Sequence, residues 1–185
     1  RAPGIALIVA GVALAAVSGL ELAAGEGRGD GDNPADSLRY LNEFGDLYAY
    51  SGLALVVGGA AAVVGVIGVL RVLGMPSLAF GAVSAFGVLA GGFLAAAGVM
   101  RMQAKGTVPH IESLDQSWGE SAYLAVQMAG TQGLMSTGMM ALAAWLVALA
   151  ALLVRRGARA VALFAVLPAG MLVNLALDLA LPFLD

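Results

Sequence analysis

The amino-acid sequence predicts an all-α polytopic membrane protein with about five transmembrane helices, and three observations predict it. Of 185 residues, 61% are hydrophobic and only 11% are charged, more apolar surface than a soluble domain of this size can bury. The apolar residues gather in long uninterrupted stretches, each close to the roughly 20 residues that a helix needs to cross the hydrocarbon core. The basic residues fall in short connections on alternate sides of those stretches, as the positive-inside bias requires.

The spans read as residues 4–24, 47–73, 77–100, 130–154 and 158–181, in one domain. The first ends in small residues, Ala23 and Ala24, as a secretory signal would. Its apolar run is too long for a signal's apolar core, so it reads as a retained helix. Arg71 to Ser77, punctuated by Gly74 and Pro76, is a tight turn, and so is Arg155 to Arg159 around Gly157. These turns make the second and third spans one hairpin and the fourth and fifth another.

Charge then orients the bundle. Arg1, Arg71, Arg155, Arg156 and Arg159 share one end with no acid beside them. The other end holds Arg28, Arg39, Arg101 and Lys105 together with all 12 acids. The expected topology has the N-terminus in the cytoplasm, the C-terminus outside and an acidic outer face at the plasma membrane. Arginine outnumbers lysine 8 to 1, which suits a prokaryotic source.

Residues 25–46 and 101–129 form the outer segments. Gly25 to Asn33 is too rich in Gly and Asp for a helix and reads as a solvated acidic loop. Asp30, Asp32 and Asp36 match no calcium loop, because Pro34 interrupts the pattern and the closing Glu is missing. Asn33 followed by Pro34 and Asp36 reads as a helix start. Ser117 with Glu120 has capping-box spacing. Helices running from these caps into the second and fourth spans would be about twice the hydrocarbon thickness. Their outer turns then either protrude as a helical cap, the favoured reading, or lie at the interface, where Tyr40, Phe44, Tyr48, Tyr50, Trp118 and Tyr123 would form an aromatic belt.

Inside the membrane, small residues at intervals of four let helix backbones approach closely. Gly11, Ala15 and Gly19 form such a stripe on the first span, Gly87, Gly91 and Ala95 on the third, and Ala129, Gly133 and Thr137 on the fourth. Ionisable and polar groups at membrane depth are functional candidates. Glu21, Arg101 and Asp178 sit at the outer boundary. Asn174 and Asp178 lie on one face of the last span with Gly170. Gln127 and Thr131 share a face of the fourth span's outer extension with Glu120 and Tyr123. Together these residues are candidates for an outward-facing polar cavity or ion path.

Several chemistries are absent. Without cysteine there is no disulfide, thiolate metal site or cysteine nucleophile. His110, the only histidine, is expected in an outer loop and makes no multi-histidine site. Met135 and Met139 share a helical face but read as apolar packing rather than a copper site. No Walker loop, nucleophile elbow or zinc-binding motif appears, so no catalytic residue, metal or cofactor is expected. The leading expectation is a non-catalytic subunit that packs against or stabilises a larger membrane assembly. Its partners would be membrane lipids and other membrane protein subunits, or further copies of the chain, and not nucleic acid. A small transporter or channel, or a binder of a lipid, quinone or pigment between helices, are the competing readings.

Overall fold

The computed structural model describes the backbone of residues 2–23, 34–74 and 77–180, and the side chains of these except at 21, 22, 34–37, 77, 78, 131, 159–161, 164 and 178–180. Every element among the described residues is helical. In chain order they are α1 (Ala2–Ala23), α2 (Pro34–Val72), α3 (Ser77–Leu114), α4 (Gln116–Val126), a π-helical segment (Gln127–Met135), α5 (Ser136–Arg155) and α6 (Arg159–Ala180). Counting α4, the π segment and α5 as one run, four helices are long and apolar enough to cross a membrane, and α6 adds a shorter apolar stretch, Ala165–Leu177. The chain is therefore a bundle of four to five helices suited to a membrane. Both expected tight turns are present, each closed by a glycine in the left-handed region, Gly74 (φ 57°) and Gly157 (φ 82°).

The hairpin of α2 and α3 is the centre of the bundle, and its helices touch backbone to backbone. A Cβ at Gly52 would lie 2.6 Å from the carbonyl oxygen of Gly98, and Cβ atoms at Gly59 and Gly91 would each run into the other's carbonyl. The α3 stripe of Gly87, Gly91 and Ala95 is the surface that makes this contact, with Val66 filling the space over Gly87. A second face of α2 receives α1: Gly65 and Gly68 leave room for Leu7 and Pro3. α5 packs on α3, and α6 packs on α5. The buried face of α6 is a row of alanines, Ala162, Ala165, Ala169 and Ala176.

The outer segments differ from expectation in three places. α3 does not end near residue 100 but continues through Pro109 to Leu114, so His110 is an exposed helical residue rather than a loop residue. The N-cap of α4 is Asp115, not Ser117: its carboxylate accepts from the Ser117 and Trp118 amides at 2.8 and 3.4 Å. A carboxylate at the N-cap outcompetes a hydroxyl two residues later because it also complements the helix dipole. Glu120 accordingly does not reach back to the cap but accepts from Gln116 Nε2 at 3.2 Å. Thirdly, the aromatic residues do not form one belt. Tyr40, Tyr48 and Tyr123 are buried with Leu38, Leu41 and Val108, while Tyr50 and Trp118 are exposed.

These changes have one cause. The N-terminal end of α2, the C-terminal end of α3 and all of α4 pack together as a cap with its own apolar core, and α2, at 39 residues, is about 58 Å long. The helical-cap reading thus describes how these segments pack. A kink at Phe44 (φ −117°, ψ 21°) re-aims the N-terminal part of α2, and Phe44 and Leu47 pack onto the cap core. Gly119 lets α4 fold back on α3, since a Cβ there would sit 2.8 Å from Glu112 Cα. Polar bonds close the rim: Asn42 Nδ2 donates to Glu112 Oε2 at 3.0 Å, and Lys105 pairs with Asp46. The Asn33 helix start and the loop before it, with Asp30 and Asp32, lie outside the described residues, as does the Asp36 side chain.

Two substitutions test this packing. Gly59→Ala should lower stability by about 1–3 kcal/mol through overpacking, whereas Gly92→Ala, which meets nothing within 4 Å, should be neutral or stabilising by up to about 1 kcal/mol; reversible unfolding in mixed micelles reads the difference. A further prediction concerns the α4 cap, where the Ser117 hydroxyl first, and then the Ser117 amide, hold the Asp115 carboxyl below its ordinary range. A lowered folded-state value means that the cap's contribution is fully present above about pH 4 and is lost as pH falls through the lowered value. Amide exchange at Ser117 and Trp118, corrected for the intrinsic rate, should quicken on acidification, and Asp115→Ala should show that faster exchange at neutral pH.

Candidate functional site

One strongly charged side chain is buried at the junction of cap and bundle. Arg101, in the middle of α3, is 1% exposed. The room for it comes from α2, because a Cβ at Gly52 would lie 3.0 Å from Arg101 Cβ. Its Nη1 donates to Ser51 Oγ at 3.1 Å, its Nη2 lies 3.6 Å from Met135 Sδ, and its Cζ stands 5.3 Å from the centroid of the Tyr48 ring. The Ser51 hydroxyl, buried itself, donates to the Tyr48 carbonyl at 2.7 Å. The Tyr48 hydroxyl in turn donates to Gln127 Oε1 at 3.4 Å. The result is a polar layer that ties α2, α3 and the π segment together, with the cap core on one side and the core of Leu55, Leu94 and Met139 on the other.

An arginine keeps its charge in a protein interior, and burying that charge costs several kcal/mol unless donors and partners are matched. A hydroxyl, a thioether and an aromatic face are among the groups that meet it here, each with a geometry that suits a planar guanidinium better than an ammonium. Among the described residues the layer contains no nucleophile–base pair and no carboxylate or imidazole. What these contacts do is hold α2, α3 and the π segment around a charge.

The π segment belongs to this layer. Gln127–Met135 holds two glycines, and a Cβ at Gly130 would lie 3.3 Å from Met100 Cβ. The widened turn leaves carbonyls in need of donors, and hydroxyls from the next turn supply them. Thr137 Oγ1 donates to Gly133 O at 2.7 Å, and Ser136 Oγ bonds Gln132 O and Gly133 O. Gly130 and Met135, five residues apart, are both buried, the repeat of a π turn rather than an α turn.

That register shift decides where the other predicted residues lie. Ala129, Gly133 and Thr137, aligned by an uninterrupted α-helical repeat, are exposed; the contact face is Gly130 and Gly138, the latter packed on Leu94 and Ala90. Gly11, Ala15 and Gly19 are also exposed, and no atom comes within 4 Å of a Cβ placed at Gly11 or Gly19. On α6 the Gly170 and Asn174 face points away from the bundle, because the alanine row occupies the inner face. Arg101 and Gln127 are therefore brought together through Tyr48, and Asn174 is placed elsewhere, in a shallow recess with Leu167, Gly170 and Met171. The side chains of Glu21, Thr131 and Asp178 lie outside the described residues. Tyr48, Ser51 and Met135 are the site residues that sequence reasoning missed as polar partners. Their signal was the placement of Tyr48 and Ser51 near the outer end of one span, facing an arginine at the outer end of the next.

Ser51→Ala should leave Arg101 buried with one acceptor fewer and lower stability by about 1–3 kcal/mol. Arg101→Lys should not preserve the native stability, since one ammonium cannot replace the two-nitrogen fork and the ring contact. Unfolding in mixed micelles measures both. Comparison of the chain with protein-family models, with curated proteins and with solved structures gives no match.

Proposed function

We propose that the chain is a non-catalytic integral membrane subunit that packs against other membrane protein, in the plasma membrane, with the arginine turns cytoplasmic and the acidic cap outside. The observation that carries this reading is the outward face of α6. Gly170 meets nothing within 4 Å, and Asn174, one turn on, is exposed beside it. An outward-facing glycine is a means by which helices associate in lipid, through close backbone approach. The exposed row of Ala129, Gly133 and Thr137 offers a second such face. The charge bias of the turns supports the orientation.

The test is isolation from native membranes in mild detergent, with and without Gly170→Trp. A protein partner, or a second copy, should co-purify with the native chain and be reduced roughly tenfold by the bulky residue. A lone monomer from native membranes, or equal recovery of the partner with Gly170→Trp, would overturn the reading.

A further inference from the structure

α1 packs against α2, and α6 packs against α5. Between α1 and α6 lies an open groove of about 630 Å³, with the buried Val66 and Trp145 at its base and Gly11 and Met171 on its flanks. Its walls are almost wholly apolar, and its volume is that of a site for a small ligand, about 300–1,000 Å³. Neither Gly170 and Asn174 nor the row of Ala129, Gly133 and Thr137 lines it, so an occupant of the groove is independent of a protein partner on those faces.

Two features identify the occupant. The first is length. On α5 the groove runs from Leu142 to Leu153, about 16 Å of helix, which is half of a hydrocarbon core roughly 30 Å thick. It is thus one leaflet deep. The second is charge beyond its Leu153 end. Leu142, Leu146, Leu149 and Leu153 repeat at intervals of three and four along the lining face of α5, and Arg155, the last residue of the helix, and Arg156, its C-cap, follow directly after them in the chain. Both arginines are exposed, as is Arg71 at the same end of α2, and no acid is present among the described residues of these turns. A molecule one leaflet long, apolar along its length and negative at its head fits this combination.

We infer that the groove seats one acyl chain of an anionic phospholipid whose phosphate is met by Arg155 and Arg156. The contact differs from ordinary solvation by lipid in two ways: the chain is held on both sides by helices, and the headgroup is chosen by charge. Glycine at position 11 is what keeps the groove wide, because no neighbour occupies the space beside it.

The experiment is native mass spectrometry of the full chain released from nanodiscs containing equal phosphatidylglycerol and phosphatidylcholine. One phosphatidylglycerol per chain should be retained in preference to phosphatidylcholine. Replacing both arginines (Arg155→Gln, Arg156→Gln) should reduce that preference by roughly fivefold per arginine. Gly11→Leu should lower occupancy by either lipid roughly tenfold, the equivalent of about two displaced methylenes. Gly19→Leu, on open surface outside the groove, should match the native chain. Release of a bare chain, equal retention of the two lipids by the native chain, a dimer without lipid, or full occupancy of Gly11→Leu would each overturn the inference. Should Gly11→Leu fail to fold, the arginine variant still decides the headgroup claim.

Discussion

The backbone-to-backbone contact of α2 and α3 is the constraint on which the rest depends. In lipid there is no solvent to squeeze two helices together, so their association rests on packing and on direct polar contacts. Gly52, Gly59, Gly91 and Gly98 bring the two axes close enough for both. The same approach that packs the hairpin also delivers Arg101 to Ser51 and the Tyr48 ring, so the buried charge is a product of the packing and not an addition to it.

From that layer the molecule divides in two. On one side the helices continue into a cap with tyrosines in its core and acids on its rim. On the other they form an apolar bundle that ends in the arginine turns. Twenty residues separate Ser51 from Arg71, and twenty separate Met135 from Arg155, about 30 Å of helix in each case. The buried arginine and the exposed ones therefore stand about one hydrocarbon thickness apart, which makes the bundle between them the natural lipid-facing part.

Much of the architecture was legible from composition and turns, because the constraint of a membrane is severe: the bundle class, the tight turns at Gly74 and Gly157, and the close contact through Gly87 and Gly91 all follow from it. The limits of α3 were not legible. Pro109 and the Asp115 cap look alike on a loop and on a helix that another helix braces, and it is the cap core that decides between them. The buried faces of α5 and α6 were misassigned for different reasons. On α5 a fixed repeat was carried across a π segment whose glycines and hydroxyls permit a wider turn. On α6 the alanines, which let it lie close on α5, hold the inner face, and nothing in the polar spacing of Gly170 and Asn174 marks theirs as the outward one. Arg101 was recognisable as a site residue because charge at membrane depth is costly, but Ser51, Tyr48 and Met135, which meet it, are neutral and carry no such mark.

The π segment also bears on how this chain would align with its relatives. A π turn carries one residue more than the α turn it replaces, and here that residue sits between a helical stretch that faces the cap core and one that faces the bundle core. A relative with one residue fewer would carry its deletion inside a membrane helix, within 127–135, and not in a loop. It would also have to re-seat either the α4 half or the α5 half by about a quarter turn of helix. Gap placement, usually confined to loops, would then separate sequences that share this Arg101 layer from sequences that have lost its Gln127 and Met135 contacts.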